Sequence, residues 1–239
     1  MMQIETQMSR LRLTGMSHSW KTLLETRRVH ELSLSEGLEL LLQAEVDERS
    51  HRRFDRLQKN ARFRYKSSME EINYEGSRGL DRGLITSLST CEYISKGETI
   101  LITGATGCGK SFLASALGHQ ACSLGYNVGY YNTQKLLMRI KMTRAEGTIL
   151  KFFDKLAKHA LLIIDDFGLS RFEQQQQMDF MEILEDRHGR ASTIIASQLP
   201  VANWFDVIGE ETIADAILDR LVHTSYRIEL KGESLRKKR

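Results

Sequence analysis

Two hydrophobic rhythms divide the chain. Up to about residue 75, apolar positions recur every three or four residues. Leu11, Leu13, Met16, Trp20, Leu23 and Leu24 follow this spacing, and so do Leu38, Leu41, Leu42 and Val46; both sets predict amphipathic helices. Ser33-Leu34-Ser35-Glu36 reads as the entry to the second helix, with Ser33 or Ser35 as its cap. From residue 99 onward the apolar runs are short and nearly continuous. Thr99–Thr103, Asn127–Tyr131, Ala160–Ile164, Ser192–Ser197 and Tyr226–Leu230 predict strands. Helical patterns over Ser111–Leu124, Gln134–Arg144, Thr148–Lys158, Gln175–His188 and Ile213–Val222 separate them. Buried strands alternating with helices imply an α/β fold, a parallel sheet covered on both faces. The expected organisation is a small helical N-terminal domain over 1–70 and an α/β domain over 71–239, with 67–98 as the connection.

Composition narrows the class. The 239 residues are 41% hydrophobic and 27% charged, as in ordinary globular proteins. Pro200 is the one proline, which favours a helix-rich chain without rigid linkers. No apolar run reaches membrane-spanning length, and Met1-Met2-Gln3-Ile4-Glu5 lacks a secretory core, so no membrane association is expected. Cys91, Cys108 and Cys122 have no metal-ligand spacing and read as reduced thiols of a cytoplasmic protein.

The net charge is only +3, so a polyanionic partner has to be argued from where the charge lies. Arg49, Arg52, Arg53, Arg56 and Lys59 fall on one helical face, and Arg62, Arg64 and Lys66 continue the run past the helix end. Like charges stacked this way repel, which suggests an anionic partner such as DNA; a solvated basic face is the alternative.

The strongest chemical signal is Gly104-Ala105-Thr106-Gly107-Cys108-Gly109-Lys110-Ser111, which fits G-x-x-x-x-G-K-[ST] between a strand and a helix. Its glycines let successive amides turn toward one anion, and the N-terminus of the following helix, from Ser111 and Phe112, adds partial positive charge. Lys110 reaches the β- and γ-phosphates of ATP, and Ser111 binds Mg²⁺. Asp165 and Asp166 end an apolar strand, a costly position unless they meet a metal or a polar partner. Asp165 fits the Mg²⁺ anchor opposite Ser111, and Asp166 fits the residue that orients the attacking water. The next strand ends in Ser197 and Gln198, either of which suits a contact to the γ-phosphate. Arg220 has the charge to stabilise a phosphoryl-transfer transition state, although its spacing alone suits a surface pair with Asp219.

In order and spacing, Gly104–Ser111, Asp165-Asp166, Ser197-Gln198 and Asp219-Arg220 resemble the AAA+ ATPases. More narrowly, the chain resembles the IstB-like ATP-binding proteins, helper ATPases of insertion-sequence transposition. Leu11-Arg12-Leu13-Thr14-Gly15-Met16, the stretch Glu182–Pro200 and the tail Lys231–Arg236 carry that resemblance. It implies an AAA+ three-layer αβα core, a nucleotide-binding stretch over Gly104–Phe112, and a homo-oligomer in which Arg220 of one subunit completes the site of the next. It also implies duplex DNA held by the assembly, with Lys135, Arg139, Lys141 and Arg144 facing it, a transposase partner and a bacterial, nucleoid-associated setting. Helicase loaders share this core and supply the alternative function. Two departures stand out. Asp166 replaces the usual glutamate and is one methylene shorter, which suggests slow hydrolysis. The chain after Arg220 leaves no room for a C-terminal helical lid, whose sensor arginine is missing or replaced by Arg236.

Overall fold

A computed structural model describes residues 2–74, 78–232 and 234, and the chain divides into two compact units, Met1–Arg56 and Leu57–Arg239. The division falls inside a long helix, ahead of the boundary near residue 70 suggested by composition. Arg236 and the rest of the basic tail lie outside the described residues.

The first unit contains α1 (Met2–Arg10), α2 (Thr14–Glu25) and most of α3 (Leu34–Ala61). Met8, Leu23 and Leu41 form its core, with Leu13, Met16 and Trp20 packed against it. Ser33 is the cap of α3: its hydroxyl accepts the Glu36 amide at 3.3 Å, and Glu36 accepts the Ser33 amide at 2.8 Å. Gly15 explains part of the Leu11–Met16 stretch. A side chain there would meet the Ala44 carbonyl oxygen at 2.3 Å, so only glycine lets the start of α2 lie against α3. The buried Glu45 then accepts the amides of Gly15 and Met16 at 2.8 and 3.2 Å. Burial alone would raise this carboxyl, but Arg49 and the two amides hold it below the usual range. One expectation is corrected here. Leu38, Leu42 and Val46 do not share the burial of Leu41; with Leu34 they form an exposed row along α3, because the short α1 and α2 cover only one narrow stripe of it.

After the end of α3, the second unit continues with α4 (Arg82–Ser89), capped by Asp81, and α5 (Glu92–Ser95), both in the stretch read as a connection. The five strands are β1 (Thr99–Gly104), β2 (Val128–Asn132), β3 (Leu161–Phe167), β4 (Ser192–Ser197) and β5 (Ser225–Leu230). They form one parallel sheet in the order β2-β3-β4-β1-β5. Alternate residues face opposite layers. Leu101, Leu162, Ile164 and Ile195 join a core with α7 (Thr133–Ala145), α8 (Ile149–Ala157), α9 (Gln174–Arg187), α10 (Trp204–Ile208) and α11 (Glu211–Val222). On the other face α6 (Lys110–Ser123) packs through Gly118 toward Ile163. This is the three-layer core read from the alternation of strands and helices. The short helix α10 had no separate signal; Trp204 within it is fully buried. Among the described residues no helix is long and apolar enough to cross a membrane.

Candidate functional site

The loop after β1 turns as its glycines require. Gly104, Gly107 and Gly109 have φ of 143°, 83° and 98°, a region that side-chain-bearing residues rarely adopt. The loop delivers the chain into α6 at Lys110, whose Nζ donates to the carbonyls of Gly104 and Ala105, both at 2.8 Å. Cys108 is buried beneath the loop, the position of a small packing residue. Two residues that sequence reasoning missed shape the cradle. The buried Arg78 donates to the Cys108 carbonyl at 2.7 Å and the Asn73 carbonyl at 3.0 Å. Ser234 approaches so closely that a Cβ at Gly107 would meet its hydroxyl at 2.1 Å. No motif announces Arg78, and Ser234, although it lies in the tail that carries the resemblance, had no role assigned because it comes from a distant position.

β3 runs past Ile164 into the two acids, and a register shift between Ile164 and Phe167 bulges it against β4. Asp166 sits at φ 57°, a left-handed conformation costing about 1 kcal/mol or more in a non-glycine residue. Beside this bulge Asp165 meets Ser111 of the phosphate loop, and both carboxylates reach Arg64. Asp165 accepts the Ser111 hydroxyl at 2.9 Å and the Tyr130 hydroxyl on its other oxygen. Burial and the Asp165 charge both raise the Tyr130 phenol, which therefore stays a donor. Asp166 accepts Asn132 Nδ2 at 3.0 Å and Arg64 Nη1 at 2.8 Å. Arg64 was read only as continuing the basic run past the helix end; the structure places it on the site's acids.

The oxygens of Ser111 and Asp165 fit Mg²⁺. They are hard ligands converging beside the start of α6, and a protein supplying only these leaves most positions to phosphates and water, the usual magnesium arrangement. Among the described residues no group of three or more His, Cys, Asp or Glu assembles a separate metal cage.

Ser197 and Gln198 now part. Ser197 is fully buried, donating to the Phe167 carbonyl at 2.8 Å and accepting the Leu199 amide at 3.1 Å. Gln198 accepts the Thr106 hydroxyl at 2.7 Å, so Gln198 is the one brought to the phosphate loop. Arg220 lies elsewhere. It donates to the Ala216 carbonyl and pairs with Glu185 rather than with Asp219. It borders Thr99, where β1 begins, whereas the loop leaves β1 after Gly104. Six residues of strand, about 3.3 Å each, separate the two ends, so Arg220 cannot reach its own phosphate loop.

The basic residues are also sorted. In the first unit Arg49 pairs with Glu45 and Arg52 with Glu48, which neutralises part of the expected stripe, and Arg53 also has a partner. On α7, Lys135, Arg139 and Lys141 are exposed, while Arg144 pairs with Asp179. Arg139 lines a cleft of about 1270 Å³ beside the edge strand β2, together with Lys59, Arg62, Lys151, Lys155 and Lys158. His159 borders this cleft, and neither ring nitrogen has a hydrogen-bond partner; burial, Arg187 and Lys155 push it down to about 4, so it is neutral at pH 7.

Comparison with known proteins places this geometry. The model of the family described as IstB-like ATP binding protein matches residues 6–239. A Sinorhizobium fredii protein, y4pL, named for an insertion sequence and ATP binding, is 42% identical over 94% of this chain and 92% of its own length. The corresponding ATP-binding protein of insertion sequence IS21 from Pseudomonas aeruginosa is 30% identical over 100% of this chain and 90% of its own. Among solved structures, the DnaC helicase loader superposes with a TM-score of 0.59 at 19% identity, covering 70% of this chain and 98% of that one. AMPPCP-bound DnaA from Aquifex aeolicus gives 0.60 at 21% identity, covering 73% and 53%. At these identities the two structures speak to the fold, a P-loop core of AAA+ type. Sequence match, fold and phosphate loop agree: the chain belongs to the IstB-like ATP-binding protein family, ATPases associated with insertion sequences.

Proposed function

We propose that this protein assembles on duplex DNA in an ATP-dependent manner and assists a transposase in choosing or engaging its target. The position of Arg220 carries the reading. It stands near the start of β1, at the opposite end of that strand from its own phosphate loop, which supports a role in the site of a second copy. Lys110, Ser111, Asp165, Asp166 and Gln198 hold and read the triphosphate; bound Mg²⁺ neutralises charge on its β- and γ-phosphates. Asp166 orients the attacking water, and its short side chain suits slow turnover. The cationic cleft around Arg139 supports contact with DNA phosphates, and Lys135 and Lys141 extend that face along α7. Arg49, Arg52, Arg53 and Arg56 are offered as further DNA or partner contacts, and the exposed row Leu34, Leu38, Leu42 and Val46 suits a protein partner such as the transposase.

The test is DNA binding with and without Mg·ATP across a salt series. ATP should tighten binding, and each neutralised phosphate should steepen the log–log salt slope by about 0.9. Binding that ignores both ATP and salt contradicts the proposal. Arg220→Ala should leave nucleotide affinity within about twofold while lowering turnover by roughly 10³-fold or more; normal turnover refutes the role in trans. The resemblance to the DnaC fold keeps a second reading open, that of a helicase loader, and capture of a replicative helicase but not the transposase would favour it.

A further inference from the structure

The two acids of the site share one cationic partner, Arg64, which comes from outside every motif and offsets part of their charge. Arg64 Nη1 lies 2.8 Å from Asp166 Oδ2 and 3.4 Å from Asp165 Oδ2. It is held there from both sides. The Phe63 ring fills the space above Gly118, where a Cβ would approach it to 2.4 Å, and stacks on His119 at 4.2 Å between centroids. The Tyr65 carbonyl contacts the His119 ring at 3.1 Å, and Ser67 donates to the Phe112 carbonyl at 3.2 Å. Residues 63–67 are thus clamped along α6, the helix that begins at the phosphate loop. The Arg64 side chain remains 40% exposed, so it has room to move.

We propose that Arg64 is a positioning residue that serves as resident counter-cation for Asp165 and Asp166, allowing ATP to bind before Mg²⁺ arrives. The inference rests on the reading of Ser111 and Asp165 as the magnesium site. Without a cation between them and the incoming nucleotide, two carboxylates repel a triphosphate; with Arg64 in place, that repulsion is offset. With Mg²⁺ held by Ser111 and Asp165, the Arg64 guanidinium would be repelled from Asp165 and would keep Asp166 or turn to phosphate. Arg64 therefore ties metal arrival to the freedom of the water-orienting acid.

The experiment measures ATP affinity by calorimetry in Mg²⁺ and in EDTA, for the unaltered protein, Arg64→Gln and Arg64→Lys. Removing the cation that sits on the two acids of the site should weaken binding in EDTA by about tenfold while changing affinity in Mg²⁺ by less than about twofold, because the ion then supplies the charge. Arg64→Lys should retain most of the EDTA affinity. Equal weakening in both conditions would indicate mere structural support and overturn the proposal. So would an unchanged ratio, or an unaltered protein that binds ATP only with Mg²⁺, and in these cases the ATP site itself stands. Loss of ATP binding by the unaltered protein in both conditions would remove the underlying site as well.

Discussion

Lys110→Ala should cost roughly 10²- to 10⁴-fold in ATP affinity, because two charge-assisted hydrogen bonds to phosphate disappear, each contributing about 1.5–3 kcal/mol. Lys110 is 6% exposed, and its Nζ already lies within 2.8 Å of two loop carbonyls, so the cation is stored where the phosphates arrive. The glycine-rich loop keeps its shape through backbone conformation and the Arg78 contact at Cys108, so circular dichroism should show an unchanged fold. Calorimetry with Mg·ATP checks the affinity. A drop smaller than about fivefold would mean that backbone amides and the helix terminus suffice, contrary to the charge argument.

The largest effect on stability is expected at Arg187, far from the nucleotide. The residue is 2% exposed, and its guanidinium donates to the carbonyls of Leu156 and His159 at 2.8 Å, to that of Ser192, and to the Thr193 hydroxyl at 3.2 Å. One side chain thereby joins the end of α8, the residues entering β3 and the start of β4. Burial pulls it down to about 10, still well above neutral pH, so the charge is retained and is satisfied by carbonyl oxygens. Arg187→Ala leaves several buried acceptors unpaired and should destabilise the protein by about 3–5 kcal/mol. For a chain of this size that is a fall in melting temperature of about 10 °C. Arg187→Lys should recover only part of it, since an ammonium cannot span the same fork. Urea unfolding of the three proteins decides the point; a loss below about 1 kcal/mol for the alanine variant would show that water or backbone movement replaces the guanidinium.

Arg187 also explains part of the stretch Glu182–Pro200 that identified the family. The run Arg187-His188-Gly189-Arg190 closes α9, and Gly189 takes φ 65° in the turn before β4. The same stretch supplies Ser192, whose hydroxyl donates to the Glu98 carbonyl just before β1. Its pattern therefore reflects construction of the sheet's lower edge, next to Arg220.

Local rules made the core of this molecule readable. Apolar runs of strand length alternating with helical spacing predict the parallel sheet, and the phosphate loop announces itself because its glycines, lysine and serine act through contiguous backbone. The acids were equally visible, since two carboxylates at the end of a buried strand demand partners. The identity of those partners was not visible. Arg64 stands 101 residues before Asp165 and belongs to a run whose composition suggested an anionic partner. Tyr130 and Asn132 come from the neighbouring strand, and Gln198 was separated from Ser197 only by the bulge at Asp165-Asp166 and the hydrogen bond of Ser197 to Phe167. On α3 the helical period was correct but the buried face was not, because period does not say how much of a helix its neighbours cover.

The amino-acid order alone determined the α/β class, the order of elements and the phosphate cradle, all consequences of short-range periodicity and of glycine's backbone freedom. Tertiary structure alone decided which cation meets the two acids, which polar side chain meets the loop and that Arg220 lies at the other end of β1 from its own phosphate loop. Those outcomes depend on how strands register and helices cross, and such long-range geometry is fixed by packing among residues that share no local pattern.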